Sequence, residues 1–462
     1  VKEKNVKEIS GDVIFTKGDL TLKCQKGQHI ENLGIVILYD EVSSTKEELS
    51  FVADTLKFYS VENQLLGIGN SHAWTPEYDL KADSIIIFTK QDSGIASGNV
   101  TLIQNGQVLT AEKIVYKSYP DLGEISYTAF GNVVIKDSVL TATSGIARYS
   151  GIDQNTYLNK NPKIFDEDRV LIGDEIKLEY HENILRSIYI PSNAIATIQK
   201  EGFVKIESDS SKQMEKIFFN DEMEGKELFG SFSEGALDSL AIYGMSKTLY
   251  NVFEDSSYKG NNIVSGDTTF IDFSNNKLNS IVVVGGAEGI YLPDPSTNNI
   301  SFPVKYSADK MKYLFKNKKT DLYGNSIINH DNTSLESGYI NINWENDILS
   351  AYPNSNSDLK KELLLFPIIK EKNKDPMTGS QMTYNLKTKK GRIKKGSTRA
   401  DDGYYTGKKI QNESSKIIFI ENSTYTTCDL DTAHFHFESK NMKIVQNDIV
   451  VARPIILHIS QI

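Results

Sequence analysis

The chain of 462 residues has only two cysteines, Cys24 and Cys428, set 404 positions apart. So wide a pair excludes a disulfide framework and a cysteine-built metal centre. No run of about eighteen apolar residues occurs, which leaves no candidate for a membrane-crossing helix. No positively charged stretch leads into a short apolar one, so no export signal is read at the start. Positive charge is in the minority: the net charge is −10, which argues against nucleic acid as a partner. The motifs G-x-S-x-G, H-E-x-x-H and the P-loop are all missing. Gly285-Gly286-Ala287-Glu288-Gly289 has the look of a phosphate loop, but no helix is expected to open after it. No catalytic role and no cofactor is therefore assigned. Tryptophan is scarce at 2 residues, whereas Tyr (23) and Phe (20) are plentiful, a balance that suits strands.

What the chain does have is a repeat. Ala53-Asp54-Thr55-Leu56-Lys57-Phe58 returns as Ala82-Asp83-Ser84-Ile85-Ile86-Ile87 and as Ala111-Glu112-Lys113-Ile114-Val115-Tyr116. It returns more loosely at Ala142-Thr143-Ser144 and at Gly173-Asp174-Glu175-Ile176-Lys177-Leu178, giving steps of 29, 29, 31 and 31 residues. A second mark alternates with the first: Gly69-Asn70, Gly98-Asn99-Val100 and Gly131-Asn132-Val133. A fixed period of this size means stacked units. Within a unit the apolar residues alternate with period two. Leu109 and Ala111 share one face, while Ile114 and Tyr116 share a face of the other parity. The step between them reads as a bulge that re-aims the strand. Turn residues at Gln104-Asn105-Gly106, Tyr119 to Gly123 and Lys160-Asn161-Pro162 leave no room for a helix. The expectation is all-β: stacked antiparallel strands, one hairpin per repeat of about 30 residues.

The middle of the chain repeats at 41 residues, Gly225 to Ser233 matching Gly266 to Ser274, with the polar segment from Glu254 to Asn262 expected as a longer loop. Ala308-Asp309 followed by Gly324-Asn325 restores the first pattern. Three parts follow: repeats over 1–200, longer repeats over 201–353, and an irregular insertion with terminal strands over 354–462. A short helix is expected around Leu363 to Phe366. Cys24 shares parity with Leu20 and Leu22, as a core residue of a strand would. The last residues, Ile455 to Ile462, read as mid-strand, so the chain is expected to be a piece of something longer. Lys387, Lys389, Lys390, Arg392, Lys394, Lys395 and Arg399 crowd one stretch, either a solvated hairpin surface or a contact for anionic head groups. His434 and His436, near Asp431 and Cys428, are read as outer-face polar residues in preference to metal ligands.

The C-terminal series is the more specific signal. Met382-Thr383-Tyr384-Asn385-Leu386 leads to Gly403-Tyr404-Tyr405-Thr406-Gly407, then Tyr425-Thr426-Thr427-Cys428-Asp429, His434 to Lys440, and Val450-Val451-Ala452-Arg453-Pro454. This series resembles the lipopolysaccharide-assembly outer-membrane protein (LptD) family just ahead of its barrel. The Ala-acid and Gly-Asn marks resemble the OstA-like domain of periplasmic lipopolysaccharide-transport proteins. The resemblance implies a long folded-over β-jelly roll with an apolar groove that carries lipopolysaccharide through the periplasm to the outer membrane. It also implies partners: other OstA-like proteins joined by edge-strand stacking, and an outer-membrane barrel. By the family's pattern Cys428 stands where a cysteine pairs with one in the barrel. Cys24 is a poor match for the family's N-terminal bridging cysteine.

On that reading the groove is lined by Leu56, Phe58, Ile85, Ile87, Val100, Leu102, Ile114, Tyr116, Val133, Ile135, Ile176 and Leu178. Alternation alone does not separate an open groove from a filled core. The competing class is therefore a structural β-solenoid, a surface stalk or adhesin without lipid cargo. A carbohydrate-active β-helix enzyme would need a carboxylate cluster on successive repeats, and none can be assembled.

Overall fold

The computed structural model describes residues 6–459 apart from 123, 209–210, 276, 297–299, 301, 355–363, 373, 401–402, 415, 431 and 446–447. Among the described residues the chain is nearly all β, antiparallel almost throughout, with two single 3-10 turns and no α-helix. It divides into two compact units: residues 1–197 with 226–238, and residues 198–225 with 239–462.

The first unit opens with ten strands: β1 (Val6–Lys17), β2 (Leu20–Ile30), β3 (Ile35–Lys46), β4 (Leu49–Tyr59), β5 (Gln64–Trp74), β6 (Tyr78–Phe88), β7 (Ser93–Gln104), β8 (Gln107–Tyr119), β9 (Glu124–Lys136) and β10 (Thr141–Ser150). Each pairs antiparallel with the next. A repeat is thus two strands. Ala53, Ala82, Ala111 and Ala142 occupy β4, β6, β8 and β10.

Every one of these strands is longer than the sequence stretches and breaks in the middle. The β6–β7 pairing shifts between Lys81 and Ser84, and the β7–β8 pairing between Ser97 and Val100. Gly98 and Asn99 both have positive φ there (79° and 46°). Such a conformation favours Gly and Asn over other residues. The two marks are partners: Asn70 Nδ2 donates to Asp54 Oδ2 (3.0 Å), Asn99 to Asp83 (3.1 Å) and Asn132 to Glu112 (2.7 Å). A Cβ on Gly98 would lie 2.3 Å from the Asp83 carboxylate, so the acid fills the space a side chain would take. Across the bend inward parity flips. In β4, Phe51 and Ala53 are buried, then Leu56 and Phe58.

The bend folds each strand over, so the halves before and after it form two facing walls of a β-jelly roll. Rings from opposite walls meet: Phe15 and Phe58 at 6.0 Å, Tyr78 and Tyr116 at 6.1 Å. After β10 the two walls become separate strands. Asn155–Asn159 pairs with its second half and Lys163–Asp166 with its first. Lys160-Asn161-Pro162 is therefore the bend itself and not a hairpin turn. Lys160 and Asn161 have positive φ, and proline offers no N–H to a ladder.

The second unit uses longer strands, Ala236–Glu254, Ser257–Ser274 and Lys277–Pro293. The segment expected as a loop is a tight turn at Asp255-Ser256 with strand on both sides. Its polar inward residues, such as Asn262, hid the alternation. Gly285-Gly286 is the same bend, set against Asp267, and Asn325 donates to Asp309 (3.1 Å) as the repeat requires. Leu363 lies outside the described residues, and Leu364 to Phe366 carry no helical turn before the strand Ile368–Glu371.

Candidate functional site

The interior of the first unit is built by alternation on both sides of each bend. Leu56, Phe58, Ile85, Ile87, Ile114 and Tyr116 all follow a bend on an even strand and occupy one wall; Ile176 and Leu178 continue it through Asn155–Asn159. Val100, Leu102, Val133 and Ile135 follow a bend on an odd strand and occupy the facing wall. All twelve are at most 4% exposed. Sequence reasoning missed the residue two places before each Ala: Phe51, Leu80 and Leu109, all buried opposite the first wall. Their signal was present, since each shares parity with the small Ala that precedes the acid. Glycine and alanine at Gly94, Ala96 and Ala129 keep room beside the larger side chains; a Cβ on Gly94 would meet Tyr116 Cζ at 2.6 Å.

Away from the bends, the hairpin turns of the two walls face one another along a seam. A cleft of about 440 Å³ opens there. The turns at Lys46–Leu49 and Thr75–Tyr78 lie on one side, and those at Phe88–Ser93 and Ser118–Ile125 on the other. Ile87 and Tyr116 reach its lining, joined by Tyr78. Burial pushes the Tyr78 phenol up to about 12 and that of Tyr116 well above its usual value, so both line the cleft as neutral groups. The rim is acidic, with Glu47, Glu48, Glu77, Asp92, Asp121 and Glu124 against one lysine, Lys46. Side chains bridge the seam: Lys17 Nζ donates to the Ser60 carbonyl (2.7 Å), Lys46 Nζ to the Thr89 carbonyl (2.9 Å), and Gln104 Nε2 to Glu124 (3.5 Å). The exposed Lys17 bridge is individually weak, and the other two are partly buried.

The second unit has its own cleft of about 380 Å³ with different chemistry. Tyr250, Tyr313 and Phe315 form one aromatic group, with Tyr313 and Phe315 4.6 Å apart edge to face. Tyr291 and Trp344 form another at 5.2 Å. Behind them lies a buried polar network. Tyr306 Oη donates to Asn262 Oδ1 (2.6 Å), Asn262 Nδ2 reaches the Tyr250 hydroxyl, and Asp221 accepts from the Asn251 N–H (2.7 Å) and pairs with Lys200. Lys200, Lys259, Lys318 and Lys387 line this cleft with Glu254, Glu345 and Asp347.

The remaining candidates stand apart. Cys24 is buried in β2, and Cys428 is a free thiol whose Sγ lies 3.7 Å from His434 Nδ1. His436 stacks on His458 at 4.7 Å; Asp431 lies outside the described residues. Among the described residues no group of three or more His, Cys, Asp or Glu converges on a point. Within the basic stretch Lys389 pairs with Asp331 (2.7 Å), Lys390 with Glu413, and Arg399 lies over Tyr404 (5.6 Å). Those contacts favour the solvated-surface reading for most of the run; Lys387 alone of it lines the second cleft.

Comparison with known proteins adds a family. Residues 79–184 match the model of the LptA/(LptD N-terminal domain) LPS transport protein family. No curated protein matches the chain. Among solved structures, similarity is found to LptH, the LptA-homologous periplasmic component of the conserved lipopolysaccharide transport device from Pseudomonas aeruginosa. It is 12% identical with a TM-score of 0.25, over 30% of this chain and 87% of that one. The matched residues span β6 to Ile184, the stretch that holds the seam cleft's Ile87 and Tyr116 and the acid–amide bends of β6 to β9. Over that stretch the chain is similar to the OstA-like family of lipopolysaccharide-transport proteins.

Proposed function

We propose that the first unit carries lipopolysaccharide by its acyl chains between the two apolar walls, in the periplasm, toward the outer membrane. The observation that carries this reading is the seam: two continuous walls of Leu, Ile and Phe meet along a line bridged by side chains such as Lys17 and Lys46. Parting those walls would admit a lipid chain along the whole row. An acyl methylene in water costs about 0.8 kcal/mol, so a twelve-carbon chain costs roughly 10 kcal/mol to expose. A trough that continues from repeat to repeat removes that cost at every step. The free edge of β1, whose one described neighbour is β2 and whose Ile14 is exposed, suits strand addition by another OstA-like protein. An outer-membrane barrel as a further partner, with Cys428 as the thiol joined to it, belongs to the same proposal. The competing reading is a stalk whose walls never part, and the tight burial of all twelve wall residues is what favours it.

Photo-crosslinking in cells that make the lipid separates the two. A crosslinker at Ile87 is expected to capture lipopolysaccharide, and one at Ile86, on the outer face, is expected not to. Equal capture at both positions, or none at Ile87 with the chain folded, would reject the conduit.

A further inference from the structure

The second unit's cleft is the wrong chemistry for a plain hydrocarbon. Asn262, Tyr250 and Asn251 are each at least nine-tenths buried and line its back wall, with the buried Asp221 held behind Asn251. Laying methylenes against amides and carboxylates forgoes hydrogen bonds that water would make. A bare anion is also a poor fit, since four lysines are set against three carboxylates and two groups of aromatic rings. Rings, amides, carboxylates and ammonium groups together are the set that holds a phosphorylated sugar. Ring faces cover the apolar side of a pyranose, and carboxylates and amides take its hydroxyls. Lysines meet phosphate as point charges. At about 380 Å³ the space is of the size that small ligands occupy.

We infer that this cleft is a headgroup station: it binds the phosphorylated saccharide end of an anionic glycolipid, with Trp344 and Tyr313 against the sugar and Lys318 and Lys387 at the phosphate. The inference rests on the reading that the chain carries such a lipid. It adds that the second unit recognises the polar end, where the first unit takes the apolar end. A cargo lacking phosphate would then pass the first unit and be held poorly by the second.

Trp344 supplies the readout, because the chain has two tryptophans and Trp74 lies in β5 of the first unit. The full chain carrying Trp74→Phe is titrated with a glucosamine disaccharide bisphosphate stripped of acyl chains. The controls are the same disaccharide without phosphate and inorganic phosphate alone. Saturable change in Trp344 emission is expected with the first probe only. Lys318→Gln together with Lys387→Gln should weaken it about ten-fold, the loss of a charge-assisted contact, with the near-ultraviolet circular dichroism unchanged. Lys90→Gln, at a first-unit residue that lines neither cleft, should leave it unaltered.

An equal response to inorganic phosphate would reduce the site to an adventitious anion patch and overturn the inference. So would an equal response to the unphosphorylated sugar, or no response to any probe. Lipopolysaccharide captured at Ile87 with no headgroup response at Trp344 would sink the station and leave the groove standing. A headgroup response without capture at Ile87 would do the reverse.

Discussion

The two units bend their strands in the same way and fill them differently. In the first, the inward positions are mostly Leu, Ile, Val, Phe and Tyr with small residues between them, and the seam cleft has six carboxylates to one lysine. In the second, inward positions include Asn251, Asn262, Ser246, Thr248 and Thr269, and the cleft has four lysines to three carboxylates. One backbone device therefore supports two interiors. The bend depends on the Gly-Asn mark and its acid, while the chemistry inside depends on the residues two and four places away. That separation lets the interior change along the chain without disturbing the ladder.

The comparison breaks most sharply with a charge placed in the apolar wall. Ile85→Arg buries an unpaired guanidinium where the first unit is driest and should cost several kcal/mol. Lipid capture at Ile87 should vanish, and thermal unfolding followed by circular dichroism should show the first unit melting earlier. A variant that melts like wild type and still captures lipid would mean that the walls hold water.

A smaller effect tests the shared device. Gly98→Ala puts a Cβ at φ +79° and within 2.3 Å of the Asp83 carboxylate, so it carries the left-handed penalty of about 1–2 kcal/mol plus the loss of the acid's position. Gly286→Ala in the second unit has the same backbone problem but open space around the new methyl, and should cost only the penalty of about 1 kcal/mol. Equal losses in denaturant titrations would show that the carboxylate contact contributes nothing.

Acid separates the units by a further, modest step. His330, at the end of Lys319–His330, is buried against Val304 and Thr333 of its flanking strands, with Phe302, Lys389 and Asp331 nearby. Burial, helped by Lys389 and opposed by Asp331, lowers its pKa below the ordinary value. The unfolded chain then takes up a proton that the folded one refuses. Stability is full above about pH 6.5 and falls below it until the folded pKa is reached. The slope is at most about 1.4 kcal/mol per pH unit. His330→Asn should flatten that part of the pH profile. An unchanged slope in the variant would show that other groups cause it.

The smallest change concerns the seam. Lys46→Ala removes one bridge to Thr89 and a longer contact to Asp92 (3.9 Å) and should cost under about 1 kcal/mol. Lipid capture at Ile87 should nonetheless quicken, because the walls part more readily. Slower capture would mean that Lys46 guides the cargo and does not restrain the walls.

Much of this was legible in the sequence because strands announce themselves by parity. The flip from Leu109-Ala111 to Ile114-Tyr116 located the bend in β8. Eight wall positions lie two and four places after the acid of each mark, and Val100, Leu102, Val133 and Ile135 lie one and three places after the Gly-Asn mark. What parity did not give was pairing. Asp54 and Asn70 are 16 residues apart, and nothing local says that one holds the other. Nor did it give the second unit's hairpin, where Asn262 sits inward and breaks the apolar alternation on which the reading depended. Lys160-Asn161-Pro162 has the composition of a turn, and only the separate partners of the strands on either side identify it as a bend.

At five bends the acid comes before the amide it holds: Asp54 before Asn70, Asp83 before Asn99, Glu112 before Asn132, Asp174 before Asn193, Asp309 before Asn325. A polypeptide delivered amino end first thus meets, at each of these corners, a receptor already laid down by its predecessor. Construction can proceed in one direction, like courses of brick, with no corner waiting on residues yet to arrive. Lengthening the gene by one such module would add a course without redesigning those beneath it.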